Sequence, residues 1–262
     1  MDPDAVLAAF DEQMRRRPPL EPGGLRSERV GDVVRVVSDA AGWSGVLWSG
    51  LDADSAEAAI GAEIAFFARR GQPWEWKYYS YDEPADLPER LRAAGLVPGE
   101  PETVLIAEVA ELGLVSSPPA GVALREVADA RDVEAFVAVQ NAVFGGDDSA
   151  FGGYLAASLG RPAPLMVAVV AWAGDTPICA GRIDLPPGCD FAGIWSAGTL
   201  PAWRHRGVFR ALVAYRAAIA SARGYRYLQV DASADSRPIL ERLGFVEVAT
   251  TIPFQGRTAR AE

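Results

Sequence analysis

Hydrophobic and polar positions along this chain switch between a period of two and a period near 3.6, and the switches recur in the same order. From Trp43 a short apolar run, WSGVLWS, predicts a strand, and Asp54 to Gly71 (DSAEAAIGAEIAFFARRG) carries apolar residues at helical spacing. From Trp195 the pattern returns as WSAGTL followed by Gly207 to Gly224 (GVFRALVAYRAAIASARG). The two helical segments are equal in length, and each ends on Arg-Gly with the glycine placed for a left-handed C-cap. Aromatic strands follow in both places, WEWKYYS from Trp74 and YRYLQVD from Tyr225. Then come short helices, PERLRAAG and PILERLG, and extended runs, VLIAEV and VEVATTI. Five elements in one order predict two copies of a strand-helix-strand-helix-strand unit.

LGLVSSPPAG, Leu112 to Gly121, breaks both periods and reads as a linker. After it come a strand over Val122 to Val127, a helix over Asp129 to Phe144 with Asp129 as N-cap, and a polar loop leading into a helix in GGDDSAFGGYLAASLG. LMVAVVAWA and PICAGRIDL flank Gly174-Asp175 and predict a hairpin. The first half has a leading helix around Asp4 to Arg15 and a strand in VVRVVSD. Hairpins followed by one crossover imply an α+β fold, a mixed sheet with helices on both faces.

The composition narrows the class. Of 262 residues 50% are hydrophobic and 23% charged, which is globular, and no apolar run reaches membrane-spanning length, so a soluble protein without a membrane partner is expected. MDPDAVLAAFDEQMRRRPP places acids before its apolar stretch and arginines after it, the reverse of a secretory signal, so the expected location is cytoplasmic. Cys179 and Cys189 have no metal-ligand spacing and there is one histidine, so free thiols and no metal are expected. A net charge of −10 argues against nucleic acid as partner; it is compatible with a cationic substrate, although solubility alone explains it more simply.

One turn departs from the acidic background. LPAWRHRGVFRALV, Leu200 to Val213, puts Arg204, Arg206 and Arg210 around Gly207 where a strand gives way to a helix. Uncapped N–H groups, the helix dipole and guanidinium forks suit such a turn to a phosphate or pyrophosphate. Neither a Gly-x-x-x-x-Gly-Lys-Ser/Thr loop nor a Gly-x-Gly-x-x-Gly turn opening a helix after the first strand occurs. The corresponding turn of the first half, Gly50-Leu51-Asp52-Ala53-Asp54, has aspartates where the second has arginines, so it is expected to cap its helix and repel a pyrophosphate.

Arg204 to Phe209 resembles the Gln/Arg-x-x-Gly-x-Gly/Ala signature of the GNAT acyltransferase superfamily, Thr199-Leu200-Pro201 resembles its Val-x-Pro, and ILERLGF, Ile239 to Phe245, resembles its Leu-Tyr-Glu-Lys-Leu-Gly-Phe segment. The resemblance covers Val122 to about Phe254 and extends in degenerate form to the first half. It implies two GNAT-like domains, each a mixed, mostly antiparallel twisted sheet flanked by helices, the N-terminal one truncated: 1–111, a linker over 112–121, and 122–262. It further implies transfer of an acetyl group from acetyl-CoA to a small-molecule or peptide amine by a monomer or homodimer, with one cofactor site.

The residues the resemblance assigns to the cofactor are Arg204, His205, Arg206, Gly207, Val208, Phe209 and Arg210 at the turn, Gly198, Thr199 and Leu200 at a strand bulge centred on Gly198 and Thr199, and Ser233 toward the pantetheine arm. Phe209 stands where the family has a small residue, and Leu240 where it commonly has a proton-donating tyrosine. The general base is open among Asp184, Asp190 and Asp231. The alternatives are a non-catalytic acyl-CoA-binding or sensing protein and, more distantly, an interaction module built on the aromatic first half. His205 is expected to face solvent, the first-half tryptophans and tyrosines to pack in the sheet, and Arg15-Arg16-Arg17 to form an exposed helix end.

Overall fold

The structure, a computed structural model, describes residues 1–19, 25–38, 43–113, 117–160 and 164–256. Helix α1 (Pro3–Phe10), capped by the Asp2 side chain, runs directly into a π-helical turn, Asp11–Arg16. Strands β1 (Arg26–Val30), β2 (Val33–Val37) and β3 (Gly45–Ser49) precede α2 (Ala56–Arg70), which ends on Gly71 at φ 63°, the left-handed cap its sequence announces. Then come β4 (Trp74–Tyr79), α3 (Leu87–Ala93), β5 (Val97–Pro98) and β6 (Glu102–Glu108).

The second half opens with β7 (Val122–Glu126) and α4 (Ala130–Phe144), whose N-cap Asp129 accepts from the Asp132 N–H at 2.9 Å. It continues with α5 (Ser149–Ser158), the hairpin β8 (Met166–Ala173) and β9 (Thr176–Asp184), and β10 (Phe191–Thr199). The last elements are α6 (Val208–Ala222), β11 (Tyr227–Ala232), α7 (Arg237–Arg242) and β12 (Val246–Gly256).

All twelve strands form one sheet in the order β1-β2-β3-β4-β12-β6-β11-β10-β9-β8-β7, with β5 pairing to β12 off this path. The middle of that order is an exchange. β6, from the first half, is held between β11 and β12 of the second, and β12 fills the place next to β4. The sequence boundary at 112–121, of which 114–116 lie outside the described residues, therefore coincides with no break in the sheet. Val104, Leu105, Ile106 and Ala107 of β6 are all fully buried, because helices cover both faces there: Leu105 and Ala107 meet the α6 side, Val104 and Ile106 the α1 side.

The arginine run after α1 is not the exposed helix end its position predicts. Arg15 is 1% exposed; its guanidinium forks onto both oxygens of Asp82 at 2.8 and 2.9 Å, bonds Asp11 at 2.8 Å, and lies 3.8 Å over the Tyr79 ring. Arg16 and Arg17 are exposed as expected. The π turn aims Arg15 inward, so this residue joins the N-terminal helix to β4 and the loop after it.

Candidate active site

β10 and β11 run parallel but pair only over Phe191–Gly193 against Tyr227–Gln229. Beyond Gly193 they part, while β9 still follows β10 and β6 still follows β11, so an opening is left through the middle of the sheet. The parting has a local cause in β10. The register of β10 against β9 shifts between Trp195 and Gly198, and Ser196 takes φ 52°, with its carbonyl held by Gln140 Nε2 at 2.8 Å. The bulge thus centres on Ser196 and Ala197, two residues before the expected place; Gly198 and Thr199 are back in register with Ala180 and Cys179. Gly198 is small for another reason: a Cβ there would lie 2.8 Å from Val143 and 3.0 Å from Phe144 of α4.

On one side of the opening lies a groove of about 550 Å³ against the start of α6. Gly198, Thr199, Arg204, His205 and Gly207 line it, as do Val208, Phe209, Arg210 and Ser233. Leu200 and Arg206 do not: the Leu200 N–H is taken by the Ile178 carbonyl, and the Arg206 guanidinium lies 5.0 Å over the Trp203 ring. Gly207 has φ 81°, in the region L side chains avoid, and α6 begins with no side-chain cap. At the matching turn of the first half α2 likewise starts without a side-chain cap, on Ser55, so the aspartates do not cap it as expected; one of them instead takes the N–H groups just before the helix. Asp52 Oδ1 accepts from the N–H groups of Asp54 and Ser55 at 3.1 and 2.8 Å and from the Ser55 hydroxyl at 2.6 Å, which holds its carboxyl below the usual range.

A cavity of about 480 Å³ continues from the groove into the opening, sharing Phe144, Ala197, Phe209, Ser233 and Ser236 with it, and Leu240 lines its apolar side. It meets a third, smaller cavity at Lys77, Trp195 and Asp231, on the face covered by α1. Phe10, Met14 and Arg15 wall that end, so both halves of the chain enclose it. Gly193 leaves the room in which the Trp195 indole lies.

The three candidate carboxylates separate here. Asp190 is exposed and bonded to Gln13, away from the cavities. Asp184 lines the smaller cavity with Arg182 at 3.2 Å, and burial pushes its carboxyl above the usual range although Arg182 opposes the shift. Asp231 lines both cavities with a 3% exposed side chain; Oδ2 is ion-paired to Lys77 of β4, and Oδ1 has no partner. Burial by itself lowers the Lys77 ammonium, but Asp231 outweighs that and holds the ammonium above its ordinary value.

The raised Asp184 carboxyl has a measurable consequence. An acid whose folded pKa lies above the unfolded one contributes stability below the unfolded value and loses it as pH rises through the folded one. Asp184→Asn is therefore expected to raise Tm relative to the parent at pH 7 to 8, with the gain vanishing below about pH 4. Thermal denaturation across that range checks it, and a gain independent of pH would contradict the assignment.

Lys77, Gln140 and Arg216 of these cavities were not singled out by the sequence. Each had a signal. Lys77 is the only lysine in the chain, and Arg216 interrupts the apolar stripe Val208, Leu212, Ala220 of α6.

No protein-family model matches the sequence, and no curated protein matches it. Solved structures do. A GCN5-related N-acetyltransferase from Kribbella flavida is similar with a TM-score of 0.69 at 21% identity, over 99% of this chain and 95% of that one. A functionally unknown conserved protein from Staphylococcus epidermidis gives 0.67 at 13% identity, over 90% of this chain and 96% of the other. A tandem GNAT protein from the clavulanic acid biosynthesis pathway gives 0.60 at 14% identity, over 99% and 95%. The fold is that of the GNAT acetyltransferases along nearly the whole chain.

Proposed function

We propose that this protein is an N-acyltransferase that moves an acetyl group from acetyl-CoA to an amine, in the cytoplasm, using one CoA site in the half that spans 122–262. The observation that carries this reading is the unbroken path from the uncapped, arginine-flanked turn at Gly207, past the Ser196–Ala197 bulge, to the free oxygen of Asp231. The first half, 1–111, keeps the scaffold without the anion site, since its turn carries the Asp52 carboxylate on the N–H groups of Asp54 and Ser55 in place of arginines.

The residues present fit CoA. The first turn of α6 offers unclaimed N–H groups, positive φ at Gly207 lets the backbone approach a pyrophosphate, and Arg204 and Arg210 add charge. Bound acetyl-CoA supplies an activated acyl carbon and a thiolate leaving group. N–H groups at the bulge polarise the carbonyl, and Asp231, held at Oδ2 by Lys77, receives the acceptor's N–H at Oδ1 and takes its proton, with Asp184 as a second carboxylate on the same wall. Holding amine and thioester in one enclosed opening contributes rate by itself.

Release of free thiol from acetyl-CoA over a panel of amines tests the reading. Gly207→Asp, which forces a side chain into left-handed backbone and sets a carboxylate at the anion site, is expected to weaken acetyl-CoA binding in calorimetry by about tenfold or more. Unchanged binding would sink the CoA site. The second reading, an acyl-CoA sensor, is favoured by Leu240, which offers no proton to a departing thiolate. Tight binding with no turnover on any amine would select it.

A further inference from the structure

Arg216 differs from every other deeply buried cation of the described residues. Arg15 is matched by Asp11 and Asp82, Arg35 by Glu28 and Glu63, and Lys77 by Asp231. Arg216, fully buried on the sheet-facing side of α6, hydrogen-bonds only to carbonyl oxygens, with the buried Cys179 thiol nearby: Nε donates to Leu212 at 3.2 Å, and Nη1 to Arg182 at 3.0 Å and Trp195 at 3.5 Å. Its Nη2 has no partner, and no carboxylate pairs with it among the described residues.

The placement is built into the fold. Gly181 of β9 stands opposite, where a Cβ would lie 3.2 Å from Nη1 and 3.1 Å from Leu212. Arg216 lines the cavity in the β10–β11 opening, the one that also holds the Ser196–Ala197 bulge and Asp231. Burial pushes the guanidinium down to about 10, so it is still charged at neutral pH. A buried charge in contact with three carbonyl dipoles and no counter-ion is incomplete until an anion arrives.

CoA does not bring that anion. Arg216 lies nine residues beyond Gly207, about 13 Å along the helix axis from the pyrophosphate turn, and the pantetheine arm and an acetyl group are neutral. Resting on the acyl-transfer reading above, we propose that Arg216 receives a carboxylate of the substrates at the reacting centre. That carboxylate belongs either to the acyl group, as in a dicarboxylic acyl-CoA, or to an acceptor that carries its amine beside a carboxylate. A guanidinium fork recognises a carboxylate by geometry as well as charge.

Two matched comparisons on the wild-type protein separate the sources. In the first, succinyl-CoA and malonyl-CoA are compared with acetyl-CoA and butyryl-CoA by calorimetry; in the second, amino acids are compared with their amides by thiol release. A preference for the carboxylate-bearing member of roughly ten- to hundredfold is expected in one arm and identifies the source. Arg216→Met should abolish that preference, leave CoA binding intact and keep the fold by circular dichroism; Arg216→Lys should keep part of the preference and covers the case in which the methionine variant does not fold. Binding of CoA with no preference in either arm overturns the inference and leaves the acyl-transfer reading standing. A fall in kcat that is equal for all substrates in Arg216→Lys also overturns it, because Arg216 would then serve the thioester carbonyl. Failure to bind any CoA species overturns both.

Discussion

Replacing Asp231 by asparagine is expected to lower kcat/KM for the amine by about a hundredfold or more while leaving acetyl-CoA affinity unchanged. The expectation rests on the division of labour between its two oxygens. Oδ2 is committed to Lys77, which comes from the other half of the chain, and Oδ1 is buried without a partner on a side chain that lines the cavities. Asparagine keeps the shape and loses the proton acceptor. It also strands Lys77, whose ammonium is held above its ordinary value by Asp231; that stabilisation is present at all pH values below the unfolded lysine value near 10.4 and is lost only as pH rises through the folded one, so the variant lacks it throughout the neutral range. A double variant, Lys77→Met with Asp231→Asn, separates the two effects. It is expected to regain the lost thermal stability without regaining activity. Activity in Asp231→Asn close to the parent value would move the proton acceptor to another carboxylate of these cavities, Asp184 or Glu102.

The elements were legible because their information is local. Equal helical segments ending on Arg-Gly, the Asp129 cap, the hairpin about Gly174 and the arginine turn at Gly207 all lie in short stretches of sequence, and the structure has them where the periods change. What was not legible depends on partners far away in sequence. VLIAEV and VEVATTI read equally well as strands of their own halves, and nothing in either run says that β6 crosses to lie between β11 and β12. An apolar strand states that it is buried and does not state beside what.

The site shows the same split. The bulge was expected at Gly198 because glycine commonly marks one, yet Gly198 is small because Val143 and Phe144 of α4 pack on it, and the bulged residue with positive φ is Ser196. Asp190 and Asp231 both end or precede strands in the sequence; only the splay of β10 from β11 turns one toward a cavity and leaves the other in solvent with Gln13. Lys77 belonged to the half expected to be purely structural, and the strand exchange is what brings β4 close enough for it to reach Asp231. The only lysine in a chain otherwise rich in arginine could have been noticed, but its partner could not have been named.

Arg15→Ala is expected to destabilise the protein by about 3–5 kcal/mol, the usual cost of removing one member of a buried ion cluster. The guanidinium bridges Asp11 and Asp82 and also covers the Tyr79 ring; Arg16 still pairs with the other oxygen of Asp11, but alanine leaves Asp82 buried without its cation. Burial already raises Asp82 even with Arg15 opposing it. Without Arg15 that opposition is gone and the folded-state value climbs further above the unfolded one. A carboxyl shifted in that direction stabilises the fold below the unfolded value and withdraws that stability as pH rises through the folded value. The deficit of the variant, measured as the difference in urea midpoint against the parent, should therefore be larger at pH 7 than at pH 4. A surface arginine, as the sequence position suggested, would cost only about 0–1 kcal/mol with little dependence on pH. The two readings are far enough apart for one denaturation series to decide. The consequence extends to the site, since Phe10, Met14 and Arg15 wall the cavity that reaches Asp231. Loosening this helix should raise KM for the acceptor while leaving acetyl-CoA binding at the Gly207 turn untouched, because that turn is built entirely from the other half of the chain.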